Sequence, residues 1–173
     1  MEIALRIALH FAVVGGVIVV HELGHFVAGL AAGVPANRMR IVLYRYPFHV
    51  ALSSGGSWCS PMHGRAYAEA AQNLMSGTGA LLLFAAGGMV LQTIGMAIGA
   101  LVLRAVGAAG LGWFAVALSS GMILFYLLIE AAGLLIRAVP PGDIRGMVAI
   151  SRLGGVAVVA TVVAVHAVML VLW

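Results

Sequence analysis

Val17-Ile18-Val19-Val20-His21-Glu22-Leu23-Gly24-His25-Phe26-Val27 decides how this chain is read. The segment lies in a run from Ile3 to Val34 that is apolar almost throughout and long enough to cross a bilayer. Two imidazoles and a carboxylate interrupt that run. An ionisable side chain at mid-bilayer costs roughly 2.5–3.5 kcal/mol on insertion scales, and such residues mark function. Positions i and i+4 share a helix face, so His21 and His25 can grip one metal ion together. Glu22 lies about 100° round the helix from His21 and borders that ion without having to ligate it. A general base for a zinc-activated water belongs at that position. The plainer alternative, a packed polar cluster, has to meet the same desolvation cost with no chemistry in return.

Composition places the whole chain in the same setting. Of 173 residues, 64% are hydrophobic and 8% charged, and the mean hydropathy is +1.15. A soluble domain carries about 25% charged residues. The expected fold class is an all-α polytopic membrane protein, with about four transmembrane helices and a short β-rich cytoplasmic loop between the first two. The formal charge of +4 comes entirely from arginine, which reads as membrane topology and not as a nucleic-acid surface. The lack of lysine beside abundant Ala, Gly and Val fits a GC-rich bacterial coding sequence. The single cysteine, Cys59, excludes an intrachain disulfide and a cysteine-rich zinc site. Arg6 and the apolar run after it resemble a secretory leader in outline. No small-residue cleavage site precedes His21, so this run reads as a retained first span.

Four spans are expected, at about 3–33, 77–103, 111–137 and 154–173, all within one membrane-embedded domain covering 1–173. Gly95 and Gly99 have the small-xxx-small spacing that lets helices approach closely. Arg38, Arg40, Arg45 and Arg65 precede span two, and Arg137, Arg145 and Arg152 lie between spans three and four. Only Arg6 and Arg104 fall on the other side. The arginine bias puts loops 34–76 and 138–153 in the cytoplasm and both termini outside, in a multi-pass cell-membrane protein. Within 34–76, residues 39–52 are rich in β-branched and aromatic side chains, including Tyr46. They read as one or two short strands, with Pro47 as a kink or edge marker. Ser53–Gly56 and Ser57–Gly64 read as turns. Residues 65–75 read as a short interfacial helix with Glu69 and Gln72 on its wet face.

A catalytic zinc usually takes three protein ligands and a water, so a third donor must come from further along the chain. Asp143 follows Pro140-Pro141-Gly142, a helix break that is tolerated at membrane depth only beside protein or a wet cavity. It could instead cap a short helix running to Arg152. Glu130 is the rival ligand, because its depth in span three matches that of His25 in span one. It could equally hold a histidine from behind. His10 and His166 read as structural helix residues, and His49 and His63 as loop residues.

Taken together, these residues resemble the site-2 protease family of intramembrane zinc metalloproteases. The resemblance rests on His21-Glu22-Leu23-Gly24-His25 in the first core helix, the strand-rich loop, a glycine-rich second helix and an aspartate after a Pro/Gly break. It covers most of the chain. Ile144 follows Asp143 where the family pattern has glycine, and Leu135 and Ala138 replace its Asn and first Pro. Ala86-Gly87-Gly88 stands in place of its Gly-Pro element. The resemblance implies that His21, His25 and Asp143 bind one Zn2+ and that Glu22 is the catalytic base. It implies hydrolysis of peptide bonds in or near transmembrane segments of a membrane protein or peptide substrate, as in regulated intramembrane proteolysis. The expected partners are that substrate and the lipid bilayer, with no nucleic acid and an open oligomeric state. Two other readings remain: a non-catalytic membrane partner with a degenerate motif, and a gluzincin-type metalloprotease with Glu130 as third ligand.

Overall fold

The computed structural model of the chain describes residues 2–45, 47–136 and 142–173, the side chains of 134–136 excepted. It is mostly helical. Helix α1 spans Glu2–Ala31, α2 Arg65–Leu74, α3 Gly77–Ala105, α4 Ala109–Ile136, α5 Asp143–Ile150 and α6 Arg152–Leu172. Strands β1 (Met39–Val42), β2 (His49–Ser54) and β3 (Ser57–Cys59) lie between α1 and α2. Among the described residues, four helices (α1, α3, α4 and α6) are long and apolar enough to cross a membrane. Their outer faces carry exposed large hydrophobics such as Leu30, Ile98, Leu128 and Val168. Their inner faces carry His21, Glu22, His25, Gln92, Thr93, Ser119, Glu130 and His166, all buried.

Local chemistry explains the boundaries. Helix α1 stops where Gly33 takes φ 88°, a left-handed conformation that costs glycine nothing. There Gly33 N–H donates to the Leu30 carbonyl and Val34 N–H to that of Gly29, which closes the last turn. Pro35 follows and cannot continue a helix. The three strands form an antiparallel meander in the order β1-β2-β3, with Ile41 opposite Val50 and Ser53 opposite Trp58. Gly55 and Gly56, at φ 60° and 81°, make the two-residue turn between β2 and β3. Ser57–Cys59 is therefore a strand, not part of a turn; the pairing it gains from β2 outweighs its weak local signal. Pro47 lies in the β1–β2 connection, outside both strands. Tyr46, the Pro140-Pro141 break and the topology residue Arg137 lie outside the described residues.

Strand β2 is packed, while β3 is largely exposed. Val50, Leu52, Met39 and Val34 join Ala70, Ala71 and Met75 around Phe84 of α3. Burying a side chain of this size contributes about 1.5–3 kcal/mol. This cluster fastens the sheet to the end of α1 nearest Ala31. Deeper in, α3 is the central helix, with neighbours in α1, α4, α5 and α6. The α1–α3 contact is backbone on backbone: a Cβ on Gly24 would collide with the Gly87 carbonyl, and one on Gly87 with Ala28 and the Gly24 carbonyl. Gly95 meets Val20, but Gly99 faces open space, so the Gly95/Gly99 spacing marks only half of a contact. Helix α5 is short yet embedded. Its Met147, fully buried, packs with Ala86, Met89, Ile123 and Val162 from α3, α4 and α6.

Candidate metal centre

The helical period alone puts His21 and His25 on one face of α1, and the ring centroids lie 5.0 Å apart. Helix α3 packs close enough to pin both rings, because Gly88 has no side chain: a Cβ there would strike Nε2 of each histidine. Asp143, the first residue of α5, brings a third donor. Its Oδ2 is 3.1 Å from His21 Nε2 and 3.2 Å from His25 Nε2, and the two Nε2 atoms are 3.3 Å apart. Bonds of about 2.0–2.1 Å in tetrahedral geometry put zinc ligands about 3.3 Å from one another. The donor set and its spacing could therefore hold a metal ion.

The proton positions sharpen that fit. His25 Nδ1 lies 2.8 Å from the Phe84 carbonyl, which only accepts, so Nδ1 carries the proton. His21 Nδ1 lies 2.8 Å from Gln92 Oε1, again an acceptor. With both rings neutral, two Nε2 lone pairs and a carboxylate oxygen converge on one point. A proton on one ring can bridge to Asp143 but leaves the other lone pair facing them. A metal ion satisfies all three at once. Without a metal, burial works to raise the Asp143 carboxyl, but a protonated His25 and hydrogen bonds from His21 and His25 outweigh it. The carboxyl is held well below the usual carboxylate range and stays an anion, which suits a cation ligand.

Glu22 completes the arrangement without joining the three donors. It is 6% exposed, and its Oε2 has no hydrogen-bond partner. It lies within electrostatic reach of His25, His21, Asp143 and His49. A buried carboxylate oxygen without a partner costs about 1–3 kcal/mol or more, which marks this one as a candidate functional group. Tyr126 sets its ring 5.6 Å from that of His21. From α2, the Tyr67 hydroxyl donates to the Val50 carbonyl at 2.8 Å. Burial, then the charges of Asp143 and Glu22, push its phenol above the usual range.

Glu130 is placed elsewhere. Its Oε2 accepts from the Arg145 backbone N–H at 3.2 Å and lies 3.3 Å from Arg145 Nε. Its Oε1 occupies the space a Cβ on Gly142 would need. Glu130 thus holds the first turn of α5, where a carboxylate also complements the helix dipole, and so positions Asp143. Among the described residues, the metal-capable cluster is His21, His25 and Asp143. Glu130, the alternative to Asp143 as third ligand, is not in that group and bonds to Arg145. Asp143 is not a helix cap, since Gly142 holds that position. Arg145, counted from sequence as a loop charge, is folded onto Glu130 instead.

The remaining histidines divide. His10 lies against Phe114, His63 closes a capping box with Ser60, and His49 bonds the Pro47 carbonyl. His166 is buried and bonded to Ser119. Gln92, Ser119 and Phe84 were not singled out by sequence, and Gly88 only as part of Ala86-Gly87-Gly88. A signal did exist for Gln92 and Ser119, as uncharged polar residues isolated in apolar spans. For Phe84, which acts through its carbonyl, there was none. No family model, curated protein or solved structure matches the chain.

Proposed function

We propose that this protein is an intramembrane zinc metalloprotease that hydrolyses peptide bonds in or near transmembrane segments of protein substrates. The observation that carries the reading is the convergence of three lone-pair donors, His21 Nε2, His25 Nε2 and Asp143 Oδ2, beside the unpartnered carboxylate of Glu22. At about 1.5 Å per residue, this site lies about 9–15 Å inside the Ala31 end of α1. The four apolar spans would embed it in a bilayer. The arginines on the sheet side favour a cytoplasmic sheet, with both termini outside.

Bound at the site, zinc would supply Lewis acidity toward a scissile carbonyl and lower the pKa of a water toward about 7. Glu22 takes a proton from the attacking water and delivers it to the departing amine. The Phe84 carbonyl and Gln92 keep the two imidazoles in the tautomer that turns Nε2 inward. Glu130 keeps α5, and with it Asp143, against the histidines. A helical substrate hides its peptide bonds in internal hydrogen bonds and must unwind. Strand β2 is paired on both sides, so the edge within 39–52 that can receive an extended segment is that of β1.

The test is cleavage of a transmembrane substrate by zinc-loaded protein reconstituted in liposomes. Glu22→Gln should keep the metal and lose cleavage. A variant that still cleaves at the wild-type rate removes Glu22 from its role. A wild-type protein that binds zinc and cleaves nothing in a substrate panel favours a non-catalytic partner.

A further inference from the structure

We propose that His166, on α6, is a positioning residue for the metal centre: acting through Ser119 and Gln92, it fixes the tautomer and ring orientation of His21. The inference rests on the metal reading above and adds residues to it. Four polar side chains from four helices form one continuous chain. His21 Nδ1 lies 2.8 Å from Gln92 Oε1, Gln92 Nε2 is 2.9 Å from Ser119 Oγ, and Ser119 Oγ is 2.9 Å from His166 Nε2. His166 Nδ1 ends the chain 2.9 Å from the Val162 carbonyl. All four side chains are buried, Gln92 and Ser119 completely.

The chain has a single direction, and its far end sets it. The Val162 carbonyl can only accept, so His166 Nδ1 carries a proton and, in the neutral ring, Nε2 must accept. Ser119 then spends its one proton on His166, and its oxygen accepts from the Gln92 amide nitrogen. That orients the amide with Oε1 toward His21. His21 must donate from Nδ1, which leaves Nε2 as a lone pair facing His25 and Asp143. Without His166, the Ser119 hydroxyl is free to turn and the amide is free to flip. The flipped amide would present N–H to Nδ1 and force the proton onto Nε2, the wrong atom for a ligand.

Other polar side chains in the spans show that this connection is not simply how hydroxyls are satisfied at such depth. Thr93, Ser120 and Thr161 each donate to the carbonyl four residues earlier on their own helix, at Met89, Val116 and Ala157. Ser119 had the same local option and instead links α3 to α6.

The test compares His166→Phe and Ser119→Ala with Ser119→Thr, which keeps the hydroxyl. Zinc affinity is read by chelator competition. The His21 tautomer is read by 15N imidazole NMR on metal-free protein, at a pH where the rings are neutral. The two broken variants should lose about 10-fold or more in zinc affinity, within the range for outer partners of metal ligands, and His21 should populate both tautomers. Ser119→Thr should keep wild-type affinity and a single Nδ1–H form. Wild-type affinity with a single tautomer in Ser119→Ala and His166→Phe overturns the proposal, even if melting temperature falls, since the chain would then only fasten α6. If His166→Phe does not fold, the smaller Ser119→Ala decides alone. Failure of the wild type to bind zinc would remove the metal reading, while the tautomer measurement would still decide this one.

Discussion

Replacing Gly88 with alanine adds one methyl group at the most crowded point of the structure. The added Cβ would lie 2.8 Å from His21 Nε2 and closer still to His25 Nε2, whereas ordinary contact begins at 3.4 Å. Relief requires a shift of about 0.6 Å or more, against a tolerance of about 0.2 Å in metal–ligand distances. Helix α3 has little room to back away, because its Ala86 and Met89 are already packed against Ile123 of α4, Met147 of α5 and Val162 of α6. The rings must move instead. Overpacking of this kind costs about 1–3 kcal/mol. Taken from metal binding, that is about a 5- to 150-fold loss of zinc affinity. Gly99→Ala, on the same helix but with no neighbour within 4 Å, is the control. It should leave zinc affinity unchanged and stabilise the helix by about 0.5–1 kcal/mol. Chelator competition in detergent micelles, run beside thermal unfolding, measures both variants. Zinc affinity within twofold of wild type in Gly88→Ala would refute the placement of the histidines against α3.

Three further outcomes follow from the same contacts. Asp143→Ala removes a ligand and should lower zinc affinity more than about 100-fold, beyond the 10–100-fold typical of outer partners. Glu130→Ala, which only loosens α5, should fall within that outer range, and titration of both variants settles the order; the reverse order would return Glu130 to the ligand set. Tyr67→Phe loses the hydrogen bond to the Val50 carbonyl and should cost about 0.5–1.5 kcal/mol in thermal unfolding below pH 9. Because the folded phenol titrates above its usual range, the unfolded chain alone loses this proton as pH rises past about 10, and stability should fall there. The Tyr67→Phe profile should lack that part of the decline; matching profiles would place the phenol in solvent.

How much of this was legible in the sequence depended on the range of the cause. The spans and the pairing of His21 with His25 follow from apolar runs and a period of 3.6, both local, and the helices end within a few residues of the expected positions. Asp143 was reached through the need for a third donor and the break before it. Its rivalry with Glu130 could not be decided by depth alone, because a carboxylate at the right height can turn toward either partner. Glu130 turned to the first turn of α5, where it accepts from the Arg145 N–H and the cap residue, Gly142, has no side chain to do so. The strand at Ser57–Cys59 was hidden because three residues carry no alternation, although Gly55-Gly56 marked the turn before it. Gly88 and Gly99 look alike in sequence, and only the face that α3 turns to α1 separates them. The Gln92–Ser119–His166 chain needed three helices in register, which no single stretch encodes.

X-ray absorption at the zinc edge tests the central claim most directly. On protein loaded with one equivalent of zinc, the account predicts two imidazole nitrogens with oxygen neighbours at about 2.0–2.2 Å, and loss of that signature in His21→Ala, His25→Ala and Asp143→Ala. A sulfur neighbour at about 2.3 Å, which only Cys59 or a methionine could supply, or a signature unchanged by those substitutions, would contradict it.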